Sequence, residues 1–338
     1  MESVFLYTLF TMGGIGLVLG AGLSYAAKKF AVEKNAKVEE IIAILPGANC
    51  GGCGFPGCAG YADAIVIKGA PANMCAPGGA SAARRISGIL GLEDQQTVRK
   101  VAYLHCAGSR DKAKDKYQYN GIRDCEVAVL LGGGPKACEY GCMGFGSCVG
   151  ACKFDALRMG ENGLPVVDIN KCTGCGACIR ICPKHLFDLL PDTTSIYLGC
   201  SSHEKGKAVK DVCSVGCIGC GICSKVTPNN VIQMKDNLPV VDYNASSNLI
   251  IACYKCPTKS YIDLAPKRPH LTIDTKCKGQ GKCVEVCPVK DCITGEPEKI
   301  HHIDPKKCIG CGLCLEVCPE KAIRVVGAMG YVGMDMLK

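Results

Sequence analysis

Lys171 to Pro183 reads KCTGCGACIRICP and sets Cys172, Cys175, Cys178 and Cys182 at the spacing CxxCxxCxxxCP. Three thiolates two residues apart, with glycines between them that let the backbone curl, can wrap one [4Fe-4S] cube. The cysteine before the proline then ligates a neighbouring cube where two clusters lie side by side. A zinc knuckle or a disulfide staple is the competing use of such cysteines. Zinc sites, however, pair two CxxC units and rarely add a third close cysteine with a Cys-Pro end. The chemistry indicated is one-electron transfer on iron-sulfur clusters.

Most of the remaining chain can be read as copies of this stretch. In Cys138 to Pro183 the first half reads CEYGCMGFGSCVGAC, with Phe145 where the second cysteine belongs and Cys138 four residues upstream as its replacement. Exchange of the fourth ligand between halves predicts one cluster on Cys138, Cys142, Cys148 and Cys182 and another on Cys172, Cys175, Cys178 and Cys152. About 75 residues later the pattern returns as CSVGCIGCGICSKVTP, with Cys220 in the slot of Phe145 and Thr227 in that of Cys152. LPVVDIN at 164 to 170 matches LPVVDYN at 238 to 244, which puts Ser246, Leu249 and Ala252 on the three close cysteines of the second half. This repeat keeps one ligand set, Cys217, Cys220, Cys223 and Cys256. The last repeat reads CKGQGKCVEVCPVKDC and KCIGCGLCLEVCP, with Gln280 in the second slot and Cys292 available downstream. It predicts clusters on Cys277, Cys283, Cys292 and Cys318 and on Cys308, Cys311, Cys314 and Cys287. Cys106, Cys125, Cys200, Cys213 and Cys253 are left over and read as buried or spare thiols, the alternative being an extra ligand or an irregular cluster.

The elements that must hold these ligands are small. With 338 residues, 29 Cys and 42 Gly but only 7 Phe and no Trp, the chain is a poor recipe for one large aromatic core. The thiols fall in close groups and no cleavable secretory signal precedes them, so a reducing compartment is expected rather than disulfides. Each module then folds around inorganic material that replaces hydrophobic core. The formal charge of +8 counts ligating thiols as neutral. An oxidised cluster with four thiolates contributes roughly −2, so about six would turn +8 into about −4, and a nucleic-acid partner is not indicated.

The chain begins with 24 uncharged residues, Val4 to Ala27, followed at once by Lys28 and Lys29. That length spans a bilayer, and positive charges after the run predict an uncleaved helix with everything following it on the cytoplasmic side. Gly16 and Gly20 form a GxxxG step that is either a packing face for another helix or ordinary glycine tolerance. Val38, Ile41, Ile42 and Leu45 predict a short amphipathic helix ending at Pro46-Gly47. Next, Cys50, Cys53, Cys58 and Cys75 are spaced CxxCx4Cx16C, with a helix expected from Ala59 to Lys68; on spacing alone zinc competes with iron here. Residues 84–100 and 109–120 are charged or polar and read as linker and solvated surface.

The apolar N-terminal helix, LPGANCGGCGFPGC and the downstream ferredoxin-like pair together resemble the iron-sulfur B subunit of the Rnf complex, the membrane-bound ferredoxin:NAD oxidoreductase that pumps Na+ or H+. The resemblance implies one [4Fe-4S] cluster on Cys50, Cys53, Cys58 and Cys75. It also implies soluble ferredoxin as electron donor, membrane and flavoprotein subunits as partners, and a place in the cytoplasmic membrane. The expected architecture is α+β: a transmembrane anchor (1–29), a four-cysteine [4Fe-4S] module with linker (30–100), a two-cluster ferredoxin-like domain (101–196), a degenerate single-cluster one (197–262) and a second two-cluster one (263–338). The total is six [4Fe-4S] clusters. No flavin or nucleotide site is expected, since GGGPK at 132–136 runs into a cysteine loop and not into a phosphate-binding helix. His301-His302 reads as exposed polar surface, and Lys267-Arg268 or Lys276 to Lys282 as basic stretches that could attract an acidic ferredoxin.

Overall fold

The strands of this protein are two to five residues long and pair only in twos, so no sheet here could stand alone in water. What holds them is the packing around the cysteine groups. The computed structural model describes residues 2–29, 35–93, 98–227, 230–245, 249–265 and 269–326. Ser246 and Lys267-Arg268 lie outside them.

Helix α1 (Glu2–Lys29) is a single apolar rod, and over Tyr7–Lys29 it is long and apolar enough to cross a membrane. After it, α2 (Ala36–Ile44), α3 (Gly57–Lys68) and α4 (Gly79–Leu90) pack around Ile41, Tyr61, Ile65 and Ile86. Tyr61 is 1% exposed, and its hydroxyl donates to Pro71 O at 2.7 Å while accepting from Met74 N at 3.0 Å. That exchange ties the turn carrying Cys75 back onto α3. The residues from 84 onward do not form the expected linker at once. Ala82, Ala83 and Ile86 line one face of α4 and close this core, because two arginines on the other face leave an amphipathic helix where the charge count suggested none.

Three copies of one plan follow. In the first, β1 (Lys100–Leu104), α5 (Cys125–Val129), α6 (Ser147–Gly150), β2 (Leu157–Met159), β3 (Pro165–Val167), α7 (Ala177–Ile181) and β4 (Phe187–Pro191) run in order. The outer strands pair antiparallel with Leu104 opposite Phe187, and β2 and β3 form an inner hairpin. The second copy has β5 (Ile196–Leu198), α8 (Lys207–Val212), α9 (Ile222–Val226), β6 (Ile232–Lys235), β7 (Leu238–Val241), α10 (Ile250–Lys255) and β8 (Tyr261–Asp263). Its outer pair is β5 with β8 and its hairpin β6 with β7. In the third, β9 (His270–Ile273), α11 (Lys282–Val286), β10 (Ile293–Thr294), β11 (His302–Ile303), α12 (Leu313–Val317) and β12 (Ile323–Val326) repeat the pattern, β9 pairing β12 and β10 pairing β11. The five-residue helix α7 starts from Gly176 at φ 71°, a left-handed turn that brings the preceding thiols onto one side.

Each copy has its own core, and cysteines belong to all of them. The second copy shows what happens when ligands are lost. Where the first copy has Cys175 and Cys178, Leu249 is 8% exposed and Ala252 is fully buried, with Ile250 beside them. Tyr243 fills in from the hairpin, its hydroxyl accepting from Leu198 N at 3.0 Å. Hydrocarbon has taken the space that a cluster would need. The stretch 109–120 is mostly exposed, as expected of solvated surface, with Ser109 at 3% and Ala113 at 7% exposed as its two buried positions. It is held between the first two copies, Lys114 N donating to Val212 O and Ser214 N to Lys112 O, each at 2.9 Å.

If iron-sulfur ligation replaces core, chelating the iron from the anaerobic protein should collapse the three copies together. Amide hydrogen exchange is expected to rise to nearly unfolded rates across β1 to β12 while α1 stays protected in detergent; retained protection in the strands would show that the polypeptide core suffices.

Candidate metal centres

In the helical module Asn49, at φ 45°, accepts from Cys58 N at 2.8 Å through Oδ1 and so folds the CGGC loop over the start of α3. Cys75 returns to the same place and lies in the electrostatic field of Cys58, Cys50 and Cys53. The four cysteines expected to act together are together.

In the first ferredoxin-like copy, one cavity is ringed by Cys152, Cys172, Cys175 and Cys178, the set read from the spacing. A second is ringed by Cys142, Cys148, Cys182 and Cys125, not Cys138. Cys125 opens α5, and Asp124 and Ser147 fix it there: Cys125 N donates to Ser147 Oγ and Ser147 Oγ to Asp124 Oδ2, both at 2.8 Å. That hydroxyl, with the amides of Val127 and Glu126, holds the Asp124 carboxyl below its ordinary pKa, so the cap stays ionised. Phe145, in the slot of the missing ligand, packs on Tyr119 with ring centroids 5.1 Å apart. Cys138 points to another cavity, which it shares with Cys106, Cys200 and Cys213. Cys125 reads as a spare thiol in the sequence because it has no close cysteine neighbour. An N-capping Asp directly before it was the available signal.

In the second copy Cys217 lies in the field of Cys223, Cys256 and Cys220, again the expected set. In the third, Cys314 has Cys311, Cys308 and Cys287 as neighbours. Cys292 faces Cys287 and Cys308, on that same site, so the structure does not bring it to Cys277, Cys283 and Cys318. Cys283 faces Cys277 and Cys318, and His301 stands with Nδ1 3.9 Å from Cys277 Sγ. His301 is only 3% exposed, so of the histidine pair just His302 is surface.

The sulfurs share a second feature, since backbone amides point at them. Ala102 N donates to Cys172 Sγ at 3.4 Å, Leu186 N to Cys182 at 3.5 Å, Ser260 N to Cys256 at 3.3 Å and Ala322 N to Cys318 at 3.4 Å. Such bonds favour thiolate sulfur. Burial acts the other way and pushes the Cys148 and Cys217 thiols up to about 11 and those of Cys178 and Cys314 to about 12. A bound metal cation would offset that burial and let the thiolates form. Rings of four thiols around open space fit a cuboidal cluster.

Matching family models agree with that donor set. Residues 45–77 match a putative Fe-S cluster model, and residues 164–187 and 301–324 match 4Fe-4S binding domains. This is a 4Fe-4S protein of mixed helix and strand. The chain is 42% identical over 259 residues to the B subunit of the Na(+)-translocating ferredoxin:NAD(+) oxidoreductase complex of Acetobacterium woodii, covering 77% of each chain. It is 45% identical to the proton-translocating counterpart of Clostridium ljungdahlii over 74% of this chain and 89% of that one. It is 38% identical to the B subunit of the ion-translocating oxidoreductase complex of Methanosarcina acetivorans over 77% and 98%. It belongs to that family, the B subunits of the Rnf complex, and is a multi-[4Fe-4S] electron-transfer subunit of such an oxidoreductase.

Successive sites abut. A Cβ on Gly52 would come within 2.7 Å of Cys175 O, so the loop of the helical module lies backbone to backbone on that of the first copy. Arg180 bridges them, Nη2 donating to Cys50 O at 2.9 Å and Nη1 to Cys175 O at 3.2 Å. Farther along, Ile309 and Cys311 of the third copy pack against the core of the second, and Lys255 Nζ donates to Pro288 O at 2.9 Å. Gly52→Val should therefore weaken docking of the module by about 1–3 kcal/mol through overpacking, and Arg180→Ala by less because its guanidinium is exposed. Amide hydrogen exchange of residues 50–54 and 174–176 is expected to rise in the first variant and only slightly in the second; an unchanged rate in Gly52→Val would remove the contact from consideration.

Proposed function

We propose that the cysteine sets form a continuous path by which electrons from reduced ferredoxin reach the membrane subunits of the complex. The observation that carries this reading is that thiol-lined sites recur in every copy and in the helical module, with ligand-bearing loops touching at Gly52 and Cys175 and at Cys311 and the second core. The ligands are Cys50, Cys53, Cys58 and Cys75; Cys152, Cys172, Cys175 and Cys178; Cys125, Cys142, Cys148 and Cys182; Cys217, Cys220, Cys223 and Cys256; and Cys287, Cys308, Cys311 and Cys314. Cys277, Cys283 and Cys318 supply three more to a sixth site. When bound, the clusters supply reversible one-electron redox chemistry.

The polypeptide's own part is to fix thiolates, aim amides at sulfur, exclude water and bring neighbouring sites into contact. Helix α1 anchors the chain as a single span, and Lys28 and Lys29 in its last turn place the iron-sulfur array on the cytoplasmic side. The Na(+)-translocating and proton-translocating complexes of the relatives support coupling of this electron flow to ion transport that ends at NAD. Lys276, Lys278 and Lys282 at the distal end would favour an acidic ferredoxin. Membrane and flavoprotein subunits of the complex are the remaining partners.

Reduced ferredoxin added to the anaerobically purified full chain should bleach its charge-transfer absorbance without NAD, and NADH alone should leave it unchanged. Bleaching by NADH but not by ferredoxin would reverse the assignment. Cys256→Ala should remove one cluster, about four iron per chain; loss of two would mean that the halves are paired differently.

A further inference from the structure

Four cysteines outside the six sites, Cys106, Cys138, Cys200 and Cys213, line one cavity between the first and second copies. We propose that they ligate a seventh iron-sulfur cluster, shared between the two copies and lying between their own sites. This rests on the reading that the other cysteine sets hold clusters.

Each copy contributes the same two positions. Cys106 stands two residues beyond β1 in Tyr-Leu-His-Cys, and Cys200 two residues beyond β5 in Tyr-Leu-Gly-Cys. Cys138 and Cys213 each stand four residues before the first ligand of their copy's own site, Cys142 and Cys217. The third copy has Thr275 two residues beyond β9, and lacks the arrangement. Two equivalent half-sites facing each other make four ligands from two copies.

The geometry is that of a built site. Both Cys106 Sγ and Cys213 Sγ lie within 3.7 Å of the point where a Cβ on Gly108 would stand, so any side chain at Gly108 would enter the space beside the sulfurs. Cys106, Cys200 and Cys213 are each under 10% exposed. Cys200 Sγ accepts from Cys217 N at 3.2 Å and Ser202 N at 3.5 Å, and Cys106 Sγ from Cys142 N at 3.4 Å. These are the amide-to-sulfur bonds seen on Cys172, Cys182 and Cys256. Lys136, 7% exposed and paired with Asp115 at 3.5 Å, adds a buried cation to the cavity wall. The loop closing the site is locked across the copies by Ala107 N to Gly199 O at 2.8 Å and by the bridge of Ala113 with Cys213.

The two amides on Cys106 and Cys200 belong to Cys142 and Cys217, residues of the flanking sites. The new site is therefore in direct hydrogen-bonded contact with both neighbours and joins the first copy's pair of sites to the array beyond it.

Iron and acid-labile sulfide should be counted on the full chain, purified anaerobically in detergent, for the native protein, for Cys106→Ser, Cys138→Ser, Cys200→Ser and Cys213→Ser singly, and for the quadruple variant. The expected result is more than about 24 iron in the native chain, and a loss of about four in every variant, no greater in the quadruple. Cys253→Ser should lose none. A native count of about 24 or fewer with unchanged variants, zinc in place of the missing iron, or disulfides among the four by anaerobic peptide mapping would each overturn the proposal and leave the six-site reading standing. Should the serine variants collapse altogether, the native count alone decides. A chain without iron would instead refute the proposed function itself.

Discussion

Ligation of iron by buried thiolate is the interaction on which this molecule depends. Two-stranded sheets and helices of four to six residues do not hold together in water by themselves. Here three copies of such elements are wrapped about cysteines that burial alone would keep protonated, among them Cys142, its thiol pushed far above the ordinary range. The fold is thus poised around charge that it does not carry in its own side chains. Supplying that charge lets the thiolates form, and the same sulfurs then accept the amides already aimed at them.

The second copy makes the point by contrast. It retains the strand pairs and the inner hairpin although half of its ligands are gone. Leu249, Ile250, Ala252 and Tyr243 occupy the vacated half. A packed hydrocarbon core and a cluster are interchangeable as supports for this small plan, but only one of them moves electrons. Retaining one ligand set while filling the other keeps the fold and shortens the path through this copy to a single stop of its own.

Contacts between modules follow from the same economy of backbone. Gly52 lies on Cys175, Arg180 clamps Cys50 and Cys175, and Cys311 reaches the core of the second copy. Several of these joints lie at or beside the cysteine-bearing loops. Membership of the family of Rnf B subunits places the chain in a multi-subunit ferredoxin:NAD oxidoreductase, and α1 is long and apolar enough to cross a membrane.

The residues of KCTGCGACIRICP determined much by themselves. Three thiols two residues apart can meet one cluster only locally, so Cys172, Cys175 and Cys178, like Cys308, Cys311 and Cys314, were legible as partners from spacing, and the anchor from length and polarity. The fourth ligand is a different matter. Cys125 and Cys138 both precede Cys142, and which of them completes its site depends on where the chain returns after β1, a decision made by the Asp124–Ser147 cap and the loop at 105–115. Cys292 was in reach of either site along the chain, and in the fold it lies with Cys287 and Cys308. The four thiols of the central cavity are scattered from Cys106 to Cys213. Nothing local relates them, and only the docking of two copies brings them to one place.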